Sequence, residues 1–307
     1  MTAYIFSGQG SQYVGMGKDL YAQFPAAKEM FDHADEILGC PLSKICFDGP
    51  EEELKQTKNT QPAIFLHSVV LWNLLKPKSA YGGPAMTAGH SLGEYSALVA
   101  AGAMSFDDGL KLVRLRGELM QKAGEENPGT MAAVIGLEPK VVGEICCSAW
   151  KTGIVQAANF NSPGQVVISG SIAGVRKAME FAKERGAKLV KELPVSGAFH
   201  SPLMQSAKDG LKVALDSAHI NDAKIPVYTN VTAKPVRTAE EIRAMLYEQV
   251  TSPVRWEESV RAMVGDGAAK FIELGPGKVL QGLVKRIAPN VEISGIDTAA
   301  DVAKVIV

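Results

Sequence analysis

The stretch PAMTAGHSLGEYSALVAAG, residues 84–102, decides the fold. A short apolar run, Pro84–Ala88, feeds Gly-His-Ser-Leu-Gly at 89–93. The residues from Leu92 to Ala101 then carry a helical pattern. Strand, sharp turn and helix in that order are the setting in which a G-x-S-x-G pattern lifts a serine, here Ser91, above the end of a parallel sheet. The same five residues also fit a tight turn with a capping serine, so the neighbourhood has to supply the rest.

Working outward, Ala3–Phe6 reads as a buried strand followed by the glycine-rich SGQGSQYVGMG. Helical patterns follow at Lys18–Leu38 and Pro62–Leu75. Ser105 reads as an N-cap with Asp107 and Asp108 in the first turn, opening a helix to about Lys122. GEENPGT, 124–130, is a break in composition. Beyond it the order is strand (MAAVIG), helix (EPKVVGEICCSAW), two strands (IVQAANF and QVVISG) around Ser162-Pro163-Gly164, helix (SIAGVRKAMEFAKERG) and strand (AKLVKELPV). That is the βαββαβ, ferredoxin-like arrangement. After it, Ser201-Pro202 marks a helix start, and Ile225–Asn230 and Lys270–Leu274 read as strands. Thr238–Glu241 is a capping box opening a helix to about Val250. The expected fold is α/β: a large domain from 1–126 and 197–307 with a mainly parallel sheet, and an inserted ferredoxin-like small domain at 127–196.

Composition narrows the function. The 307 residues are 46% hydrophobic and 21% charged, with a formal net charge of −1. That is a globular chain with no basic excess for nucleic acid. The four cysteines, Cys40, Cys46, Cys146 and Cys147, match no zinc spacing and read as reduced, mostly packed thiols. MTAYIFSGQG lacks the pattern of a secretory signal, and the apolar run Ala97–Met104 is too short to span a bilayer. A cytoplasmic protein is expected.

A serine nucleophile needs a base. Of five histidines, His33 and His219 lie on charged helical stretches, His67 lies in an apolar helix, and His90 adjoins Ser91 so that their side chains point apart. His200, in VSGAFHSPLM, stands just before the Ser201-Pro202 helix start, whose positive end favours a neutral imidazole. A structural histidine at a helix entry is the alternative. Between Ser91 and His200 the only aspartates are Asp107 and Asp108, already placed at a helix start, and the glutamates read as belonging mainly to polar faces or loops. No third member of a hydrolase triad is evident, so a backbone carbonyl or an amide is left to orient the histidine.

Arg116 carries the information about substrate. Its helical neighbours Leu112, Val113, Leu119 and Met120 are all apolar. A guanidinium on an apolar face needs an anion, and its planar fork suits a carboxylate. That carboxylate belongs either to this chain or to a substrate. The SGQGSQ loop around Gln9 can offer backbone N–H groups to an anion, but it lacks a P-loop lysine and is no dinucleotide fingerprint.

GQGSQYVGMG, QPAIF, GHSLGEYSAL, RGELMQ, NFNSPGQVVISG, AFHSPLM, VTSPVRW and ELGPGKVL occur in this order across nearly the whole chain. As a set they resemble the malonyl-CoA:acyl-carrier-protein transacylases and, more widely, the acyltransferase domains of fatty acid and polyketide synthases. The resemblance implies a hydrolase-like α/β domain with an inserted ferredoxin-like domain. It implies that Ser91 is acylated with His200 as base, that the amides of Gln9 and Leu92 form the oxyanion hole, and that Arg116 holds a malonyl carboxylate beside Met120. It also implies that the Gln249 main-chain carbonyl orients His200, and that Phe199 favours malonyl over methylmalonyl groups.

No cofactor is expected beyond the substrates, malonyl-CoA (a coenzyme A thioester) and phosphopantetheinylated acyl carrier protein. A discrete, monomeric protein is expected, with the basic stretch Arg176–Lys191 either a carrier-docking face or a solvated helix surface. The remaining readings are a trans-acting acyltransferase of a polyketide synthase, a serine thioesterase, and a non-catalytic carrier-binding module. One departure from the family pattern is Ser7, where relatives usually have proline; it loosens one restraint on the turn and leaves Gln9 in place.

Overall fold

A computed structural model describes residues 1–75 and 83–306. In chain order the strands are β1 (Thr2–Phe6), β2 (Met86–Gly89), β3 (Gly129–Ile135), β4 (Val155–Ser162), β5 (Gln165–Ser171), β6 (Leu189–Glu192), β7 (Val227–Tyr228), β8 (Pro235–Val236), β9 (Lys270–Leu274) and β10 (Glu292–Ile296). Six of them form one sheet in the order β10-β9-β1-β2-β7-β8, parallel except for the β7–β8 pair. The other four form an antiparallel sheet in the order β4-β5-β3-β6.

The parallel sheet is covered on both faces, which is why β1 is apolar without alternation. Tyr4 and Phe6 pack into one core with Ile64, Phe65 and Leu98, while Ala3 and Ile5 enter a second with Trp256, Val260 and Leu283. A third core lies between the antiparallel sheet and the helices Pro139–Ala149 and Ile172–Glu184. In register, Phe6 stands beside both Gly89 and Leu274, so the loops after β1, β2 and β9 emerge together at one edge. That carboxyl edge is where open parallel sheets place ligands.

Several elements differ from the sequence expectation for local reasons. The pattern at 18–38 is two helices, Lys18–Gln23 and Pro25–Leu38, because Phe24 is extended ahead of proline. Two short helices, Leu42–Asp48 and Glu51–Lys55, follow, and the helix expected from Pro62 starts earlier, at Thr57, and runs through Pro62. Proline costs the Lys58 carbonyl its helical donor, and Arg114 Nη1 donates to that carbonyl instead at 3.0 Å. The helix from Phe106 continues to Glu126, past the composition break at Gly124. Ser201-Pro202 opens a single 3₁₀ turn before the helix Gln205–Ser217, so His219 lies just beyond that helix rather than on it. The strand expected at 225–230 shrinks to the two residues of β7. Cys46 and Cys146 are buried, Cys147 is exposed, and all four cysteines are free thiols. Among the described residues no helix is long and apolar enough to cross a membrane.

Ser7 does more than leave a turn unrestrained. It is fully buried, and its hydroxyl donates to Glu273 Oε1 at 3.0 Å. Glu273 also accepts from the Leu280 and Gln281 amides at the start of the helix Val279–Ile287, each at 3.1 Å. One carboxylate thus ties the loop after β1 to the helix facing it. Removing one donor from a buried carboxylate costs roughly 1–3 kcal/mol. Ser7→Ala is therefore expected to lower the urea midpoint by that amount of stability without changing the m-value.

Candidate active site

Ser91 stands where β2 turns into the helix Gly93–Ala100. Its φ is 52°, left-handed for a residue with a side chain, and such strain persists only where surroundings over-determine it. Those surroundings are the two flanking glycines. A Cβ on Gly89 would meet the Gly93 carbonyl carbon at 1.9 Å, and one on Gly93 would meet the Phe6 carbonyl oxygen at 2.2 Å. Ser91 N donates to Asn230 Oδ1 at 2.6 Å, and Ser91 O accepts from Gln249 Nε2 at 3.1 Å, closing the turn from outside.

His200 comes to it from the far side of the chain. Ser91 Oγ and His200 Nε2 are 2.8 Å apart. His200 Nδ1 is 2.9 Å from the Gln249 carbonyl and 3.1 Å from that of Ser252. Carbonyls only accept, so Nδ1 carries the proton and Nε2 is left bare toward the serine. The ring's pKa is pushed down to about 3, first by burial and then by the Arg116 charge, against the pull of the two carbonyls. Desolvation and a neighbouring cation keep the imidazole neutral.

Arg116 is buried, 1% exposed. Its Nη1 donates to Gln61 Oε1 at 2.6 Å, and its Nη2 donates to Gln249 Oε1 at 3.0 Å and to Ser91 Oγ at 3.1 Å. Its Nε has no partner, and the group lies over the Tyr95 ring at 5.7 Å. Among the described residues, then, every oxygen it holds is neutral. Of the internal carboxylate left open by the sequence, the described residues show no ion pair: the buried Glu94 acts on the guanidinium without touching it. Arg116 thus lies directly behind the serine hydroxyl.

The cleft, about 200 Å³, lies between the two sheets. Gly8, Gln9, His90 and Ser91 line one side, Asn161, Gln165 and Val167 of the antiparallel sheet another, and Leu280 and Leu283 a third. Phe199 and Met120 also reach it. Among the described residues no acceptor engages the backbone amides of Gln9 or Leu92, which leaves both donors available at this edge.

Four residues of the site escaped the sequence reading. Gln61 and Asn230 hold Arg116 and the Ser91 amide. Asn161 Oδ1 is 2.9 Å from His90 Nε2. Glu94, in the short helix after Ser91, is no surface acid: it is 1% exposed and accepts from Asn230 N at 2.8 Å and Gln249 Nε2 at 2.9 Å. Burial pushes its pKa up to about 7. It braces the scaffold around the serine, while carbonyls do the orienting of His200. Its signal was its place, one step past a glycine in an otherwise apolar helix. Among the described residues no group of three or more His, Cys, Asp or Glu is placed to hold a metal.

Chemically the arrangement presents a hydroxyl to a neutral base, two free amides nearby, and a buried cation at the same oxygen. Fold and site together define a class, that of α/β proteins with a serine elbow and a histidine held by carbonyls. Within it the chain belongs to the acyl transferase domain family, whose pattern matches residues 3–304. It is 50% identical over 286 residues to a malonyl CoA-acyl carrier protein transacylase of Bacillus subtilis, covering 93% of this chain and 90% of that protein. A solved acyl-carrier-protein S-malonyltransferase from Burkholderia pseudomallei superposes with a TM-score of 0.94 at 43% identity, over 99% of this chain and 98% of that one. A malonyl-transacylase solved in complex with its type II polyketide acyl-carrier protein gives 0.95 at 41% identity, over 99% and 98%.

Proposed function

We propose that this protein moves a malonyl group from malonyl-CoA to the phosphopantetheine thiol of an acyl carrier protein, through a malonyl ester on Ser91. The observation that carries the reading is Arg116: a buried guanidinium on the serine hydroxyl whose partners are all neutral. No carboxylate touches it, and the buried Glu94 acts on its charge only without contact, so the fork is left for an anion; a malonyl group on Ser91 brings its carboxylate to that spot.

In the first half-reaction Ser91 Oγ attacks the thioester carbonyl and His200 Nε2 takes its proton. The amides of Gln9 and Leu92 receive the oxyanion. Collapse breaks the C–S bond, and His200 returns the proton to the coenzyme A sulfur. The second half-reaction reverses the roles: the carrier thiol gives its proton to His200 and attacks the ester, and Ser91 leaves as a hydroxyl. Gln249 serves twice, its carbonyl on His200 and its side chain between Arg116 and Ser91. Phe199 and Met120 shape the acyl side of the cleft.

The finer architecture belongs to the same proposal: a hydrolase-like large domain, 1–126 and 197–307, with a ferredoxin-like domain at 127–196. The β4-β5-β3-β6 order supports the second part. A monomer working in the cytoplasm, with no cofactor of its own, completes the picture. The pathway served is fatty acid synthesis or, as the polyketide carrier complex of a structural neighbour suggests, a polyketide assembly. A thioesterase is the weaker reading, because the histidine leans on carbonyls and no acid completes a triad.

The test is turnover with malonyl-CoA in the presence and absence of the phosphopantetheinylated carrier. Malonyl-carrier should accumulate with little free malonate; malonate release that ignores the carrier would identify a hydrolase. For docking, Lys183, Arg185 and Lys188 are exposed, with Arg185 3.7 Å from Glu144. Reversing all three charges is expected to raise the KM for an acidic carrier about fivefold or more at low salt, with the KM for malonyl-CoA unchanged. An unchanged carrier KM would leave that face a solvated surface.

A further inference from the structure

His200 is held at φ 57°, left-handed for a residue with a Cβ. Something outside the ring must fix its main chain. The His200 carbonyl accepts a hydrogen bond from Gln156 Nε2 at 2.8 Å, and the same nitrogen reaches the Thr251 carbonyl at 3.4 Å. Thr251 lies between Gln249 and Ser252, the two residues whose carbonyls hold His200 Nδ1. One side-chain amide therefore spans the backbone of the histidine and the backbone segment that orients its ring.

Gln156 belongs to β4, the edge strand of the antiparallel sheet. That edge is docked on the same segment: Phe160 N donates to the Val254 carbonyl at 2.9 Å, and Val254 N to the Ala158 carbonyl at 2.8 Å. Gln156 also lines a surface groove with Cys147 and Trp150, a groove that does not include the serine. It touches no reacting atom.

We propose that Gln156 is a positioning residue for the acyl-transfer reaction. Its amide clamps the His200 and Thr251 carbonyls so that the imidazole spans Ser91 Oγ and the Gln249 and Ser252 carbonyls, and the base is held by the way the antiparallel sheet seats on the 251–254 segment. The inference rests on the reading of His200 as the base. The atoms are few but the requirement is strict, because small displacements of a general base are costly in rate.

The test compares Gln156→Ala, Gln156→Glu and Gln156→Lys with wild type and His200→Ala. The readouts are the single-turnover rate of Ser91 acylation at saturating malonyl-CoA, the KM and the melting temperature. Loss of the donor in Gln156→Ala should slow acylation about tenfold with KM within about twofold. Gln156→Glu is isosteric but turns acceptors toward two carbonyls, and should be slower still. Gln156→Lys, which restores an N–H donor, should recover to within about threefold of wild type. If the alanine variant fails to fold, the glutamate–lysine comparison decides alone. Acylation within twofold of wild type in the alanine and glutamate variants, while His200→Ala is inactive, would overturn the role of Gln156 and leave the base intact. A lysine variant as slow as the glutamate one, with rates following melting temperature, would reduce Gln156 to a structural tie. Normal acylation in His200→Ala would instead remove the reading on which the inference stands.

Discussion

Arg116→Ala is expected to lower kcat/KM for malonyl-CoA by about 100- to 1000-fold while leaving acetyl-CoA turnover at or above its wild-type level. The asymmetry follows from what surrounds the guanidinium. Gln61 Oε1, Gln249 Oε1 and Ser91 Oγ offer it neutral oxygens, and its Nε has none. Burial presses its pKa downward, against the pull of Tyr95 and the buried Glu94. A malonyl carboxylate supplies a direct ion pair, and losing a buried charged pair costs about 3–4 kcal/mol, which converts to the stated factor. An acetyl group has no carboxylate to pair with the guanidinium, so deleting the charge costs that substrate no ion pair. Arg116→Lys should fall between, since a point charge cannot reproduce the fork that spans Gln61 and Gln249. Competition kinetics with the two thioesters read the ratio directly; equal losses for both acyl groups would deny Arg116 its carboxylate.

His200→Ala is expected to slow acylation of Ser91 by about 1000-fold or more, the scale on which general-base removal acts. The wild-type pH profile carries the finer test. A base works when neutral, hence above its pKa, and His200 is pushed down to about 3. Acylation measured as kcat/KM should therefore hold nearly level from pH 7 to pH 5, where a histidine of ordinary pKa would lose roughly 30-fold. It should fall only as the pH approaches about 3. Because the Arg116 charge contributes to the depression, a bound malonyl carboxylate should raise the pKa seen in kcat above that seen in kcat/KM. A tenfold loss in kcat/KM by pH 5.5 would mean that burial does not govern the imidazole as described.

What the sequence made legible was local or periodic. Ser91 announced itself through glycines whose spacing the backbone needs, and Arg116 through apolar neighbours a helical turn away. The βαββαβ order could be read from alternating patterns because each element there is short and amphipathic. His200 was found by eliminating other histidines, and the Gln249 carbonyl was reached through family likeness, while the Ser252 carbonyl beside it was not foreseen. The rest depended on distance in the chain. Gln61, Asn230, Gln156 and Glu94 are single polar residues in mostly apolar or irregular segments, and no period marks them. Their hydrogen bonds to the site span tens of residues to more than a hundred. Element ends failed where a tertiary contact overrode a local rule, as at Pro62, whose orphaned Lys58 carbonyl is taken by Arg114. The burial that keeps the imidazole neutral was not legible in the sequence either, since desolvation is a property of the assembled core.

The account stands on a malonyl group that rests on Ser91 and leaves with a thiol. The direct measurement is to mix the protein with malonyl-CoA, quench in acid and map the added mass by proteolysis, then repeat with a chase of phosphopantetheinylated carrier or of buffer alone. The expected result is a malonyl group on the peptide containing Ser91, discharged rapidly onto the carrier and slowly into buffer. A modified peptide lacking Ser91, or equal discharge with and without the carrier, would contradict it.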